Sequence, residues 1–446
     1  MPTSIAVGGA AGAAALALVR RRRILAGAGL VACVFGLAAA GTALRSRPAA
    51  LESIASQVPE CRFEGHVVER AGGLGTLIAI DAASCDGFMG LTDAGVVIVD
   101  AHTADPGSRV VLRGLLVPLR SDGFDAIRRR AGANAWMHDP EIELAARPTG
   151  IFAIAAALRA SLRRATADLD PSAAGLLEGL SIGRTDGLDR IDQEHLRRAG
   201  LSHLVAVSGS NVALILGCAV LLAARAAPWA RVASGLGALV LYVALVGPEP
   251  SVLRAALMGA IALFALGLGR RTVSLQTLAL ALMGVLAFRP QLVGSVGLQL
   301  SAAATGGIIL WAGSIAERVR APRPVSLVLG ATLAAQVAVA PVLIAVFGRL
   351  SVVAPLSNLL AISAVAPATI LGLGAALVGL LSDTAARALA GLAAPFVHWI
   401  LFVGSWLGSQ TWAEVEIPRA AWPPAALAVV LFAAKTLKQK ERAKPR

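Results

Sequence analysis

A stretch of polar residues interrupts an apolar part of the sequence between residues 200 and 213. It reads GLSHLVAVSGSNVA, so His203, Ser208, Ser210 and Asn211 stand in a run that is otherwise suited to lipid. Polar groups at membrane depth must be satisfied by protein or by water. We therefore expect a helix that is interrupted at residues 208–211 and turns free backbone groups toward a cavity. The alternative is that these small polar residues hold neighbouring helices together.

Further polar groups recur in the apolar segments that follow. Arg254 lies one turn into a segment that begins with the sequence PSVL. An arginine inside a membrane segment is a functional candidate by default, although snorkelling to the outer surface is an equal rival. Gln299, Gln336 and Asn358 place amides in later apolar segments. Interrupted helices that carry polar groups are typical of a translocation path.

The spacing of reactive residues excludes several classes of chemistry. No lysine follows a Gly-rich loop, so there is no P-loop, and any ATP-driven motor must be another protein. The four cysteines and six histidines show no CxxC, HxH or HExxH spacing, so we expect no metal site and no cofactor. An intramembrane serine hydrolase would need Ser208 or Ser210 beside His203. On a continuous helix, His203 and Ser210 would lie about 10 Å apart, too far for the ~3 Å contact of a nucleophile and its base.

The composition places these polar residues in a multi-pass membrane protein. Hydrophobic residues make up 57% of the 446 residues and charged residues 15%, against about 25% charged residues in a soluble domain. Mean hydropathy is +0.73. These values exclude a disordered chain and disfavour a soluble enzyme, so we expect a lipid bilayer around most of the chain. We expect nine spans, at 204–224, 232–247, 251–268, 272–288, 294–312, 325–347, 352–380, 388–408 and 420–434.

The N-terminal part of the chain has a different character. In residues 1–44, two apolar runs flank four arginines, which predicts a transmembrane hairpin, with a signal peptide cleaved near Ala43 as the alternative. Residues 45–149 contain short β-like runs at 61–68, 76–83, 96–100 and 110–119, which predict a small β domain of the barrel type. Residues 150–203 suit an interfacial amphipathic helix followed by a polar helical segment.

Two of the cysteines, Cys61 and Cys85, flank the first two predicted strands of this β domain. If the domain lies outside the cell, a disulfide between them is chemically permitted, and we expect one. Two free buried thiols are the alternative.

Positive charges alternate between loops in the transmembrane domain 204–434. Arginine-rich loops alternate with loops that carry few positive charges, and the chain ends in a basic tail, residues 435–446. Because positive loops stay in the cytoplasm, we expect the C-terminus inside, residues 45–203 outside, and residues 20–23 inside. The arginines concerned are Arg225, Arg231, Arg270, Arg271, Arg318, Arg320 and Arg323.

The sequence resembles the ComEC competence family, the inner-membrane channel for DNA uptake in natural transformation. The resemblance is carried by IGRTDGL at 182–188, which contains Arg184 and Asp186, and by the polar stretch at 200–212. Further matching pieces follow in family order, namely PSVLRA at 250–255, FRP at 288–290, GLQLS at 297–301, the segment from Gln336 to Pro341, FGRLS at 347–351, and Asn358. The resemblance covers residues 172–434, and the β domain resembles the family's external OB-like domain.

The resemblance implies a polytopic α-helical membrane protein with a small external β-barrel (OB-like) domain that passes single-stranded DNA into the cytoplasm. Many family members continue into a metallo-β-lactamase-like domain. This sequence has no metal cluster of that kind, so we expect a separate nuclease, besides a separate DNA receptor and motor, and a possible homo-oligomer. The candidate DNA-contacting residues are Arg184, Asp186, His203, Ser208, Ser210, Asn211, Arg254, Gln299, Gln336 and Asn358. The alternatives are a transporter of another solute and the intramembrane serine hydrolase.

Overall fold

The structure is a computed structural model that describes residues 61–70, 75–85, 88–100, 104–119, 125, 128, 133–184, 187–205, 208–270, 274–429 and 431–432. The chain divides into two compact units. The first contains the residues up to Ala160, Leu216–Leu268 and Ala279–Ser295, and the second contains Ser161–Ile215, Gly269–Leu278 and the residues from Val296 onward. The hairpin predicted for residues 1–44 and the basic tail 435–446 lie outside the described residues.

The first unit contains a closed five-stranded barrel with the strand order β1-β2-β3-β5-β4. Its strands are β1 (Cys61–Arg70), β2 (Thr76–Cys85), β3 (Phe88–Val99), β4 (Arg109–Pro118) and β5 (Ala135–Ala146). Neighbouring strands pair antiparallel except for β3 and β5, which pair parallel. Phe63, Val97, Leu112 and Met137 are fully buried in the barrel core. A five-stranded closed barrel of this order confirms the OB-like domain.

Strands β1, β2 and β4 follow the predicted runs. For β5 (Ala135–Ala146) the sequence indicates only a possible last strand at 141–144, and β3 differs at its start. The prediction began at residue 96, whereas β3 begins at Phe88. The added part reads FMGLTDAG, and its glycines and aspartate are depleted in strands, so they conceal it in the sequence. Cys61 lies directly opposite Cys85 in the β1–β2 register, and Cys61 is disulfide-bonded. The side chain of Cys85 lies outside the described part of the chain, so the bond between these two cysteines stays a prediction.

The described chain after the barrel is almost entirely helical. The helices are α1 (Gly150–Thr166), α2 (Pro171–Ile182), α3 (Arg190–Arg198), α4 (Ser202–Val205), α5 (Gly209–Leu222), α6 (Pro228–Val246), α7 (Pro250–Gly267), α8 (Ser274–Phe288), α9 (Val296–Ala316), α10 (Arg323–Phe347), α11 (Ala354–Val378) and α12 (Asp383–Gly408). Two short strands, β6 (Arg349–Ser351) and β7 (Glu414–Glu416), pair antiparallel in the second unit.

Six of these helices are long and apolar enough to cross a membrane, namely α6, α7, α9, α10, α11 and α12. They confirm a polytopic α-helical membrane protein. Helices α5 and α8 occupy two further predicted spans but have only 14 and 15 residues. At 1.5 Å per residue they extend about 21–23 Å, less than the ~30 Å of a hydrocarbon core. The last predicted span is helical at residues 422–429 and 431–432 of the described chain.

Helix α2 is packed inside the second unit, and most of its residues are buried. It begins after Asp170, whose side chain accepts a hydrogen bond from the Ala173 amide and a 2.7 Å hydrogen bond from His398 on α12. Partial burial opposes ionisation of Asp170, but these two hydrogen bonds outweigh it and lower the pKa of the carboxyl group. The interfacial placement predicted for residues 150–203 stays a prediction. Within that segment, α2 is a mostly buried helix and not an amphipathic helix with one exposed polar face.

Glycines on α12 let α3 approach closely. A Cβ atom at Gly408 would overlap the carbonyl oxygen of His195, and one at Gly404 would meet the side chain of Leu196 at 2.6 Å. Small residues allow this kind of contact between helices in membranes. The end of α3 is therefore fixed against the end of α12, just before the polar stretch that begins at residue 200.

Candidate functional site

The polar stretch contains two helices, but the interruption does not fall at residues 208–211 as predicted, since Gly209, Ser210 and Asn211 are helical. Small polar residues and glycine are favoured at the start of a helix, which is the place that they take here. Helix α4 ends at Val205 and α5 begins at Gly209, while residues 206 and 207 lie outside the described chain. The hydroxyl oxygens of Ser208 and Ser210 are 2.5 Å apart, within hydrogen-bonding distance. His203 and Ser210 are exposed and Ser208 is partly buried. Among the described residues no hydrogen bond joins His203 to either serine, so the structure provides no base beside a serine nucleophile.

The turn that leads into α4 is held by glycine geometry and by two serines. Gly200 has φ +74°, and a Cβ atom there would lie 2.5 Å from the Cβ of Ala354 at the start of α11. Ser357 donates a 2.5 Å hydrogen bond to the Ala199 carbonyl, and Ser351 donates a 2.7 Å hydrogen bond to the Arg198 carbonyl. These contacts satisfy carbonyls at the C-terminal end of α3, which have no intrahelical donor.

Asn211 is buried and bonds to another helix. Its side chain is 3% exposed, and its amide nitrogen donates a 2.9 Å hydrogen bond to the carbonyl of Leu180. Leu180 lies in the last turn of α2, where the Gly183 and Arg184 amides bond instead to Gly179 and Glu178. Asn211 therefore satisfies a carbonyl that the helix itself leaves open, and it fixes the start of α5 to the end of α2.

Gln336 and Asn358 lie beside the same turn. Gln336 donates a 2.6 Å hydrogen bond from Nε2 to the Ser351 carbonyl, while its buried Oε1 has no hydrogen-bond partner among the residues that the structure describes. Asn358 donates a 2.8 Å hydrogen bond to the carbonyl of Ala354 in its own helix. Through Ser351 and Ala354, the structure therefore brings both amides next to the Gly200 turn.

A cluster of charged side chains surrounds β7. Arg197 makes two hydrogen bonds of 2.6 and 2.9 Å to Glu414 and two of 2.7 Å to Glu194. These carboxylates raise the pKa of Arg197, and the hydrogen bonds from Arg197 lower the pKa of Glu194. Arg349 approaches Glu414 and Glu416 at 3.9 and 4.0 Å. We call Arg197, Arg349, Glu194, Glu414 and Glu416 the ribbon cluster.

The remaining predicted residues lie elsewhere or outside the described chain. Arg184 is partly buried in the loop after α2, Asp186 lies outside the described residues, and Gln299 is exposed on α9. Arg254 is 6% exposed on α7, with Nη1 3.3 Å from the sulfur of Met258. It belongs to the first unit, whereas the other described candidates belong to the second.

Sequence reasoning did not identify Ser357 and Glu414 as parts of the site. Ser357 lies beside Asn358 on an otherwise apolar helix, and that polar pair was a usable signal. Glu414 gave a weaker signal, since the only hint was two acidic residues in a loop that otherwise reads as an ordinary connection.

The fold and these contacts define a polytopic membrane protein that joins a small barrel to a helical domain with a broken polar helix. A family model described as Competence protein matches residues 180–442, more than half of the chain. The chain therefore belongs to this competence protein family.

One curated relative is similar over part of the chain. ComE operon protein 3 from Bacillus subtilis (strain 168) is 29% identical over 194 residues, which cover 43% of this chain and 25% of that protein. The chain thus matches about a quarter of the relative's length. No solved structure matches the chain.

Proposed function

We propose that the protein is a membrane channel that imports single-stranded DNA during natural transformation. The observation that carries the proposal is the break between α4 and α5, which places polar residues and non-helical backbone within the part of the chain that matches the competence family. Such backbone at membrane depth is tolerated where it is buried in protein or lines a water-filled cavity. The cargo is inferred from the competence family to which the chain belongs.

The proposal includes a setting in the cell. The channel lies in the inner cell membrane with residues 45–203 outside and the C-terminus in the cytoplasm. It works with a separate DNA receptor, an ATP-driven motor and a nuclease, and it forms homo-oligomers. Reporter fusions at Pro106 and at Lys440 test the orientation, with an external signal expected from the first and a cytoplasmic signal from the second. A cytoplasmic signal at Pro106 would contradict this orientation.

A transformation assay that separates surface binding of DNA from its entry into the cytoplasm tests the cargo. Deletion of the gene is expected to abolish entry and to leave surface binding intact. Complementation with Arg254→Ala is expected to restore less entry than the unchanged gene, because a polyanion needs positive potential along its path. The matched control is Arg320→Ala, since Arg320 is exposed in the loop between α9 and α10. Normal entry in the deletion strain would favour transport of another solute.

A further inference from the structure

His398 lies near the middle of α12, a helix long and apolar enough to cross the membrane. It is the sixteenth of 26 residues, about 22 Å from the first and about 15 Å from the last. Large apolar side chains are exposed on α12 both before and after it, namely Leu392, Trp399, Phe402 and Trp406. Exposed apolar side chains of this kind suit contact with lipid. Because they bracket His398 along the helix, the level of His398 lies within the hydrocarbon core, which is ~30 Å thick.

At this level, His398 pairs with a carboxylate. Its Nε2 atom lies 2.7 Å from Oδ2 of Asp170, and the two side chains are 54% and 48% exposed. Charged side chains near the middle of a bilayer avoid lipid and face either the interior of a bundle or a water-filled cavity. Since about half of each side chain is left uncovered by protein, the pair requires water beside it.

The segment that carries Asp170 follows α12 from one end to the other. Its contacts, in order along α12, are Arg164–Asp383 at 3.1 Å, Asp168–Arg387 at 3.6 Å, Asp170–His398 at 2.7 Å, Leu196–Gly404 and His195–Gly408. Near the level of His398, Ser172 donates a 2.5 Å hydrogen bond to Asp192 in the first turn of α3. Helix α3 therefore lies beside the half of α12 between His398 and Gly408.

Helix α3 is too polar to lie in lipid. All of its residues except Ile191 and Leu196 are charged or polar, and Arg190, Gln193 and Glu194 are exposed. This polar helix runs beside a half of α12 whose other exposed side chains are aromatic, so the two sides of α12 have different surroundings at the same depth. The apolar side suits lipid, and the side that contacts α3 requires water.

The helical geometry of α12 separates the same two sides. Arg387 and His398 are 11 residues apart, so at 3.6 residues per turn their directions differ by only about 20°. Leu392 is six residues from His398 and points about 120° away from it. The two polar residues that contact the Asp170 segment thus share one side, and Leu392 marks the other.

We infer that the side of α12 that carries Arg387 and His398 lines a water-filled cleft, and that this cleft reaches the middle of the helix. Its place in the path of the DNA strand rests on the proposed function, whereas the presence of water does not.

Thiol labelling of the full chain in membrane vesicles open to both faces tests the cleft. His398→Cys is compared with Leu392→Cys in a background that lacks Cys33 and Cys218. The two positions lie about 4 and about 5 Å from the middle of α12, on either side of it, so they are almost equally deep, and both are exposed. A sulfonated maleimide is expected to label His398→Cys at least tenfold faster. Asp170 then lacks its partner and repels the sulfonate, so this charge works against the expected result.

Both variants present the same thiol, so their rates differ only through the surroundings of the two positions. Equal slow rates would show that lipid or protein, such as a second copy of the chain, covers both sides. Equal fast rates would show that the middle of α12 does not lie in the hydrocarbon core. Either result would overturn the cleft. Asp170→Cys, which keeps His398, is expected to exceed Leu392→Cys by the same factor, and immunoblotting checks that the variants are present in equal amount.

A transformation assay on labelled cells tests the link with DNA. Because the proposed orientation places residues 45–203 outside, the reagent reaches the cleft in intact cells. Complete labelling of His398→Cys is expected to lower DNA entry several-fold relative to the same cells without reagent, since the added group fills the cleft, whereas treated Leu392→Cys is expected to show no change. Normal entry through labelled His398→Cys would refute the place of the cleft in the DNA path. Normal entry in the deletion strain would refute the proposed function and leave the vesicle result in place.

Discussion

Replacement of Asn211 by leucine separates a structural role from a role in the translocation path. The change keeps the size of the side chain and removes the amide that donates to the Leu180 carbonyl at 2.9 Å. Leu180 is fully buried, so no water replaces the lost donor. A buried polar group that loses its partner costs about 1–3 kcal/mol. We therefore expect Asn211→Leu to lower the free energy of unfolding of the second unit by this amount.

The measurement is thermal unfolding of the detergent-solubilised full chain. A loss of 1 kcal/mol shifts Tm by about 2–4 °C in a domain of 150–250 residues, so the expected fall in Tm is on the order of 2–12 °C. DNA entry measured in the same variant must be normalised to the amount of protein in the membrane, because an unstable chain is degraded more.

Asn358→Leu is the matched control. The Asn358 amide donates to the Ala354 carbonyl, which already accepts from the backbone of its own helix, so its removal leaves no buried group unpaired. We expect its Tm to change by less than about 2 °C, within the range of ordinary substitutions. Equal Tm values for Asn211→Leu and the unchanged protein would refute the assignment of the Asn211 hydrogen bond. Equal losses in both variants would show that the amide–Leu180 contact is not the cause.

Two further changes test the turn and the barrel. Gly200→Ala is expected to lower Tm more than Gly269→Ala. Alanine at either position must adopt a left-handed backbone conformation, which costs about 1–2 kcal/mol, but only the Cβ atom at residue 200 would also meet a neighbour, at 2.5 Å, whereas nothing lies within 4 Å of the one at residue 269. Identical shifts in Tm would argue against the close approach at Gly200. Mass mapping of the non-reduced protein is expected to find Cys61 joined to Cys85, a bond that contributes on the order of 3 kcal/mol for a loop of this length, and two free thiols would contradict it.

The features that the sequence predicts are those that depend on neighbouring residues. The start of α5 at Gly209 lies within the segment 208–211 that the sequence singles out, although residues 209–211 are helical and only the start of the helix was marked correctly. Most strands of the barrel follow from alternation over a few residues. In contrast, the start of β3 was missed because its local composition resembles a loop. In each case the prediction used only the composition of about ten neighbouring residues, so it was correct where that composition is distinctive and wrong where it is not.

The partners of the polar residues could not be predicted, because they come from distant parts of the chain. Asn211 suits either a cavity or a helix contact, and only the position of α2 decides that its amide meets Leu180. Glu414 looks like an ordinary loop residue until β7 pairs with β6 and the end of α3 is placed beside it. Tertiary packing, which a single sequence does not display, determines both contacts.

The anchoring of α3 has a consequence for how the protein is made. Arg197 and Glu414 are 217 residues apart, and a ribosome that adds 5–20 residues per second needs about 10–40 s to cover that distance. The Ala199 carbonyl and Ser357 are 158 residues apart, a distance that takes about 8–30 s to synthesise at the same rate. During this interval the segment around residues 190–205 has emerged without the groups that hold it. The second unit is thus completed late in biogenesis, because its long-range contacts form only after the distant partners have been made. Until then, the segment around residues 190–205 must stay free to pair and must escape proteases.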